Sequence, residues 1–213
     1  MIVHGYFRSS AAYRLRIALN LKGIAPEARF VHLRRGDQKG EAYRALNPQG
    51  LVPALETDNG QVLTQSLAIV EWLDESFPEP PLLPADRDTR ARARAFALAI
   101  ACDIHPLQNL RVLRYLKARY GQEQDGLDAW CRHWIGEGLA ACERLLAREP
   151  EAAFAFGDGP GLAEICLVPQ MFSADRFGLD LAPMPRLRAL RAACEALPAF
   201  ADAHPSRQPD AEG

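Results

Sequence analysis

Hydrophobic and polar positions alternate in one way before about residue 80 and in another way after it. In the first part, short apolar runs take turns with amphipathic stretches. Ile2-Val3-His4-Gly5-Tyr6 reads as a strand over 2–6, and Ala11, Leu15, Ala18 and Leu19 then recur at helical spacing. That spacing predicts a helix over 10–22, closed by Lys22-Gly23. A second strand is predicted over 28–33, followed by a polar loop and a short helix that ends at Leu46-Asn47-Pro48-Gln49-Gly50. Two short extended runs, 53–56 and 61–63, flank Asp58-Asn59-Gly60, and Asn-Gly is the strongest short-range hairpin signal. Ser66 is expected to cap a helix over 67–77 with Leu67, Val70, Leu73 and Phe77 on its apolar stripe. A parallel pair joined by a right-handed crossover, plus a hairpin, predicts a mixed four-stranded sheet covered by helices.

Pro78-Glu79-Pro80-Pro81-Leu82-Leu83-Pro84 interrupts this pattern, since four prolines in seven residues can continue neither a helix nor an inner strand. Beyond it the periodicity is helical almost throughout, over 87–119, 125–148, 161–176 and 185–196. The third of these is apolar enough to be buried, and the tail at 206–210 has no period. The division that follows is an α/β domain over 1–80, a linker over 81–86 and an all-helical domain over 87–213.

Composition narrows the classes. The formal net charge of -2 gives no reason to expect nucleic acid or an anionic membrane as partner. No apolar run approaches the roughly 20 residues of a membrane span, and the first residues lack a signal-peptide pattern, so a cytoplasmic protein is expected. The five cysteines are odd in number and form no Cys-x-x-Cys, against a disulfide framework or a dithiol centre. Cys131, Cys142 and Cys166 read as small buried hydrophobes. Cys102 and His105 are close enough to share a helix face, but no second pair completes a metal site, and none is expected.

Candidate chemistry starts at Arg8-Ser9-Ser10, between the first strand and the first helix. A helix N-terminus offers unpaired N–H groups and partial positive charge, so a serine there is either a plain cap or part of an anion or thiolate site. Gln65-Ser66 repeats the arrangement. Pro53 cannot donate to a ladder and marks an edge or a special turn. His105 and Asn109, four apart, are expected on one helix face, with Arg111 nearby. Arg8, Arg111 and Arg176 each offer a planar fork that matches a carboxylate.

Six blocks in order, spread over nearly the whole chain, resemble the zeta class of glutathione transferases. They are Tyr6-Phe7-Arg8-Ser9-Ser10 with Tyr13 to Leu19; Leu46-Asn47-Pro48 with Val52-Pro53-Ala54-Leu55; Gln65-Ser66-Leu67-Ala68-Ile69; Asp103 to Asn109; Leu167-Val168-Pro169-Gln170 with Ala174 to Phe177; and His204 to Asp210. The resemblance implies glutathione transferase architecture: a thioredoxin-like N-terminal domain with a mixed four-stranded sheet, then an all-α C-terminal domain, in a homodimer. It implies glutathione as cofactor and a small dicarboxylate as substrate, with cis–trans isomerisation of maleylacetoacetate or maleylpyruvate as the reaction. Conjugation, dehalogenation and peroxide reduction are the other activities that the same thiolate would serve. By resemblance the catalytic residues are Ser9, Arg8, Arg111 and Arg176. Glutathione contacts fall to Ser9, Ser10, Gln38, Val52, Pro53 (behind a cis peptide), Gln65, Ser66, His105, Asn109 and Arg111. The chain departs from the class at Ala11 and Ala12, where Cys and Ser are common, so the nucleophile has to arrive with the cofactor.

Overall fold

The computed structural model describes residues 1–212, so Gly213, the end of the predicted second domain, lies outside the described residues. The chain forms two compact units, Met1–Leu82 together with the segment from Ala196 onward, and Leu83–Glu195.

The first unit carries strands β1 (Ile2–Gly5), β2 (Glu27–Phe30), β3 (Ala54–Glu56) and β4 (Val62–Thr64) in the order β2-β1-β3-β4. β1 runs parallel to β2, with Val3 opposite Ala28, and antiparallel to β3, with Val3 opposite Leu55. The predicted hairpin closes β3 onto β4 with Leu55 opposite Leu63. Gly60 supplies the positive φ of 80° at its turn and donates to the Thr57 carbonyl at 2.9 Å.

Helix α1 (Ser10–Leu21) follows β1, α2 (Glu41–Leu46) follows a 3-10 turn at Asp37–Lys39, and α3 (Ser66–Ser76) follows β4. Leu15, Ile17 and Ala18 are fully buried, and so are Tyr13 and Arg14 to within a few per cent. α1 is therefore a central helix covered on most sides, whereas its sequence stripe predicted one apolar face. The second covering element is α9 (Pro198–Ala203), which packs on α1 and has no periodic signature of its own. Asn20 on α1 donates to the Ala199 carbonyl at 2.9 Å. The residues from Ala196 on thus fold with the first unit, while the composition boundary groups them with the second. On α3 the buried residues are Ser66, Ile69, Val70 and Leu73, and Phe77 lies beyond the helix and exposed, a shift of the predicted stripe. Asp74 holds the start of the Pro-rich segment. Its Oδ1 accepts from Lys22 Nζ at 2.7 Å and from the Leu82 N–H at 2.8 Å, and Lys22 also donates to the Pro80 carbonyl.

The second unit is helical: α4 (Arg87–Leu98), α5 (Leu110–Tyr120), α6 (Gln124–Leu146), α7 (Leu162–Arg176) and α8 (Pro185–Glu195). The helix predicted over 87–119 is interrupted. A π-helical turn at Ala99–Ile104 and a 3-10 turn at His105–Gln108 separate α4 from α5. Pro106 lacks the N–H that a continuous helix would need, and Asn109 is an extended N-cap whose Oδ1 accepts the Arg111 N–H at 3.1 Å. His105 and Asn109 consequently do not share a helix face, contrary to the four-residue spacing argument.

α7 is the core of this unit, with Ile165, Cys166, Leu167 and Met171 fully buried. At its start the buried Glu164 carboxylate accepts the Ala155 N–H at 2.7 Å and the Gly161 N–H at 2.9 Å. Burial pushes the Glu164 pKa up, and the two N–H donors oppose the shift. Burial also raises the Cys131 and Cys142 thiols to about 12 each. None of the five cysteines is in a disulfide, and Cys102 alone is exposed. Among the described residues no helix is long and apolar enough to cross a membrane, and no group of three His, Cys, Asp or Glu side chains is placed to hold a metal ion.

Candidate active site

Ser9 is the N-cap of α1, with φ -71° and ψ 119°, and its hydroxyl oxygen accepts the Ala12 N–H at 3.2 Å. The cap is Ser9, then, and the buried Ser10 is the first helical residue rather than the cap. Accepting one N–H leaves the Ser9 O–H free to donate, because a hydroxyl is one donor and two acceptors. No acidic residue stands in the first turn of α1, so nothing on the helix itself neutralises the positive end of its dipole. α4 and α7 are built differently, with Asp88 and Glu164 in their first turns. Arg8, half-buried, places its guanidinium 5.1 Å from the centre of the Phe7 ring.

α3 presents a second N-terminus with no acid in its first turn. Its N-cap position is Gln65, which makes no side-chain cap hydrogen bond. Gln65 has φ 68° and ψ 114° and is the only non-glycine with positive φ among the described residues. For a residue with a Cβ such a backbone costs on the order of 1–3 kcal/mol, a strain that clusters at ligand sites. Its amide donates to Gln49 Oε1 at 2.9 Å. Ser66, expected as the cap, is instead the first helical residue, buried, and its Oγ accepts from Nη1 of Arg14 at 3.4 Å. A cation on α1 therefore lies beneath the start of α3.

Between these two helix starts in sequence runs the segment to Pro53. Tyr43 Oη and Asn47 Nδ2 both donate to the Leu51 carbonyl at 2.7 Å, and Asn47 Oδ1 accepts the Gln49 N–H at 3.1 Å. Burial drives the Tyr43 hydroxyl up to about 12, against the opposing hydrogen bond with Asn47. Val52 and Pro53 are buried, and the peptide between them is cis, as the resemblance implied. Gln38 is buried nearby in sequence, donating to the Leu33 carbonyl at 3.3 Å, while its Oε1 is buried with no hydrogen-bond partner.

The structure thus sets Arg8, Ser9, Ser10, Gln38, Val52, Pro53, Gln65 and Ser66 within the first unit. The other four candidates belong to the second. There His105 opens the 3-10 turn and is half-buried, Asn109 caps α5, and Arg111 is exposed in the first turn of that helix. Arg176 ends α7 exposed, its guanidinium 5.4 Å from the centre of the Phe177 ring. Arg14, Tyr43 and Asn47 were not predicted. A charged residue at an interior position of the helical stripe was the available signal for Arg14, and Asn47-Pro48 marked a turn without showing what it would hold. The unusual backbone of Gln65 left no trace in its residue type.

Comparison with known proteins agrees with this arrangement. The family model for the glutathione S-transferase N-terminal domain matches residues 8–76. A maleylacetoacetate isomerase of Pseudomonas aeruginosa is 47% identical over 212 residues, covering 99% of this chain and 98% of that protein. A holo structure of a bacterial maleylpyruvate isomerase, described as a zeta-class glutathione transferase, superposes with a TM-score of 0.97 at 50% identity and full coverage of both chains. The structure of a maleylacetoacetate isomerase from Methylobacterium extorquens with bound malonate and glutathione gives 0.96 at 42% identity, again with both chains fully covered.

Proposed function

The chain belongs to the zeta class of the glutathione transferases, and we propose that it is a glutathione-dependent cis–trans isomerase that converts maleylacetoacetate to fumarylacetoacetate. The observation that carries the reading is the N-termini of α1 and α3, neither of which has an acid in its first turn. One has a serine whose O–H is still free to donate, and the other begins at a strained, uncapped Gln65. Such a pair fits a ligand with a thiolate and a carboxylate, which is what glutathione offers. The glutathione bound to the solved relative from Methylobacterium extorquens supports the same assignment, and its malonate supports a small dicarboxylate as substrate.

When bound, glutathione supplies a thiolate that adds reversibly to the substrate double bond, which then rotates as a single bond. The protein's part is electrostatic and positional. The Ser9 O–H and the N-terminus of α1 favour the ionised thiol, as helix N-termini lower a cysteine pKa from about 8.5 toward neutrality. The first-turn N–H groups of α3, with Ser66 and Gln65, receive the glutamyl carboxylate. The backbone of Val52 ahead of cis-Pro53 pairs with the cysteinyl part, and Ser10 and Gln38 complete the set. Arg8, Arg111 and Arg176 bind the substrate carboxylates and stabilise the charge that develops on its oxygen in the transition state. His105 and Asn109 enter the proposal as glutathione contacts, on the sequence resemblance. The working form we propose is a cytoplasmic homodimer, to be checked by sedimentation.

Replacing Ser9 by Ala tests the thiolate assignment. The loss of a donor aimed at a developing anion costs about 10²–10³ in turnover, so kcat should fall by that order with glutathione affinity changed far less. A kcat within threefold of wild type would contradict the role. Maleylpyruvate, the substrate named by the solved relative at 50% identity, presents the same maleyl end and belongs in the same assay.

A further inference from the structure

The turn that delivers Ser9 is held from outside by the last residues of the chain. Ser9 donates its N–H to the Tyr6 carbonyl at 3.0 Å, which closes a four-residue turn with Phe7 and Arg8 at its centre. The peptide groups of Phe7 are not used within that turn, and both are gripped. Its N–H donates to Asp210 Oδ2 at 2.9 Å, and its carbonyl accepts from Arg16 Nη2 at 3.0 Å. Arg16 reaches the terminal segment as well, donating through Nε to the Ala203 carbonyl at 3.0 Å. Asp210 is itself fixed from its far side. Ala211 packs against the cluster of Tyr6, Phe7, Val31, Tyr43 and Val52, and Glu212 pairs with His32 at 2.5 Å and with Arg34 at 3.5 Å.

We propose that Asp210 and Arg16 are positioning residues for the reaction, clamping Phe7 so that Arg8 and the Ser9 hydroxyl are held in the geometry the thiolate requires. The inference rests on the functional reading given above. A cavity of about 250 Å³ lies beside the clamp, lined in part by Phe7, Arg16, Ala203 and Asp210. Terminal segment and turn meet here through directed hydrogen bonds as well as the apolar contact of Ala211, and it is the hydrogen bonds that fix the direction of the Phe7 peptide. A donor displaced by an ångström at a reacting centre costs far more rate than affinity. Sequence offers no local signal for this link, because the two ends are 203 residues apart.

The test uses Asp210→Ala and Asp210→Asn in the full-length protein, with kcat and KM, the ultraviolet titration of the bound glutathione thiol, and hydrogen exchange at the amides of residues 7–9. Asp210→Ala is expected to lower kcat by about tenfold or more, with KM for glutathione within about threefold. The bound thiol should titrate at higher pH and the 7–9 amides should exchange faster. Asp210→Asn keeps an acceptor oxygen and should restore all of these to near wild type. Should the alanine variant fold poorly, Arg16→Lys, which keeps the charge but not the two-pronged geometry, is expected to show the same kcat loss at unchanged melting temperature. Unchanged kcat and thiol titration in Asp210→Ala, or equal losses in the Ala and Asn variants, would overturn the inference alone. A wild-type protein that neither binds glutathione nor isomerises would overturn the functional reading and this one with it.

Discussion

Gln65 has a backbone conformation that its residue type does not advertise. Its residue type is ordinary at a helix start, yet its backbone lies at φ 68°, a conformation open to glycine at little cost. A native glutamine held there implies that the surrounding structure outweighs the strain. Gln65→Gly is therefore expected to raise the melting temperature slightly or leave it unchanged, while weakening glutathione binding through loss of the side chain and a floppier turn. Calorimetric titration alongside thermal melts checks both signs, and unaltered affinity would remove Gln65 from the site. Ser9 was legible in sequence because its position, between a strand and a helix, is a local property. Arg14, Arg16 and Asp210 act through residues 52, 9 and 203 positions away, and nothing local reports such pairings.

Elements with regular periods were read nearly to their ends, and those that depend on tertiary packing were not. The Asn-Gly hairpin, the mixed sheet, α1, α6, α7 and α8 all stand close to where periodicity and turn residues put them. The π and 3-10 turns between α4 and α5 escaped because apolar spacing carries on through them, although Pro106 and the cap residue Asn109 were there to be read. α9 escaped because six residues are too short for a period to show. At the other extreme, α7 begins on a buried carboxylate that satisfies two backbone N–H groups. Glu164→Ala would leave the buried Ala155 N–H and the part-buried Gly161 N–H without this partner, at a cost of about 1–3 kcal/mol for the buried one, so the second unit should melt at lower temperature. Because the folded-state pKa of Glu164 is raised, the folded state holds this proton more tightly than the unfolded one. Its contribution to stability is full below the ordinary carboxylate range and lost as pH rises through the folded value. Glu164→Gln, which has no proton to lose, should flatten that part of the pH dependence. Parallel pH profiles of wild type and variant would refute the assignment.

At the scale of the molecule, the change of pattern at the proline-rich segment predicts a linker over 81–86, and the two compact units divide at Leu82–Leu83. The second boundary, at Glu195–Ala196, has no such marker. A chain that returns to its first unit does so by tertiary contacts, here between α9 and α1 and between Asp210 and Phe7. The division also shapes the chemistry. Everything assigned to the glutathione thiol and its glutamyl carboxylate sits on the first unit, whose N-terminal portion is also where the family model matches. Arg111 and Arg176, proposed for the substrate, come from the second. Substituting Arg176 by Ala should then raise KM for the maleyl substrate by about tenfold or more, a hydrogen bond to a charged group being worth about 1.5–3 kcal/mol, with glutathione affinity less affected, whereas Arg111→Ala should weaken both. Steady-state kinetics with each substrate varied in turn separates the two. The central claim is that this protein isomerises a maleyl acid only with a thiol it does not itself carry, and its most direct test is a spectrophotometric assay of maleylacetoacetate and maleylpyruvate with and without glutathione. Rapid conversion to the fumaryl product that requires glutathione and leaves its concentration unchanged is the predicted result. Isomerisation undiminished after glutathione is removed, or consumption of glutathione into a stable thioether, would contradict it.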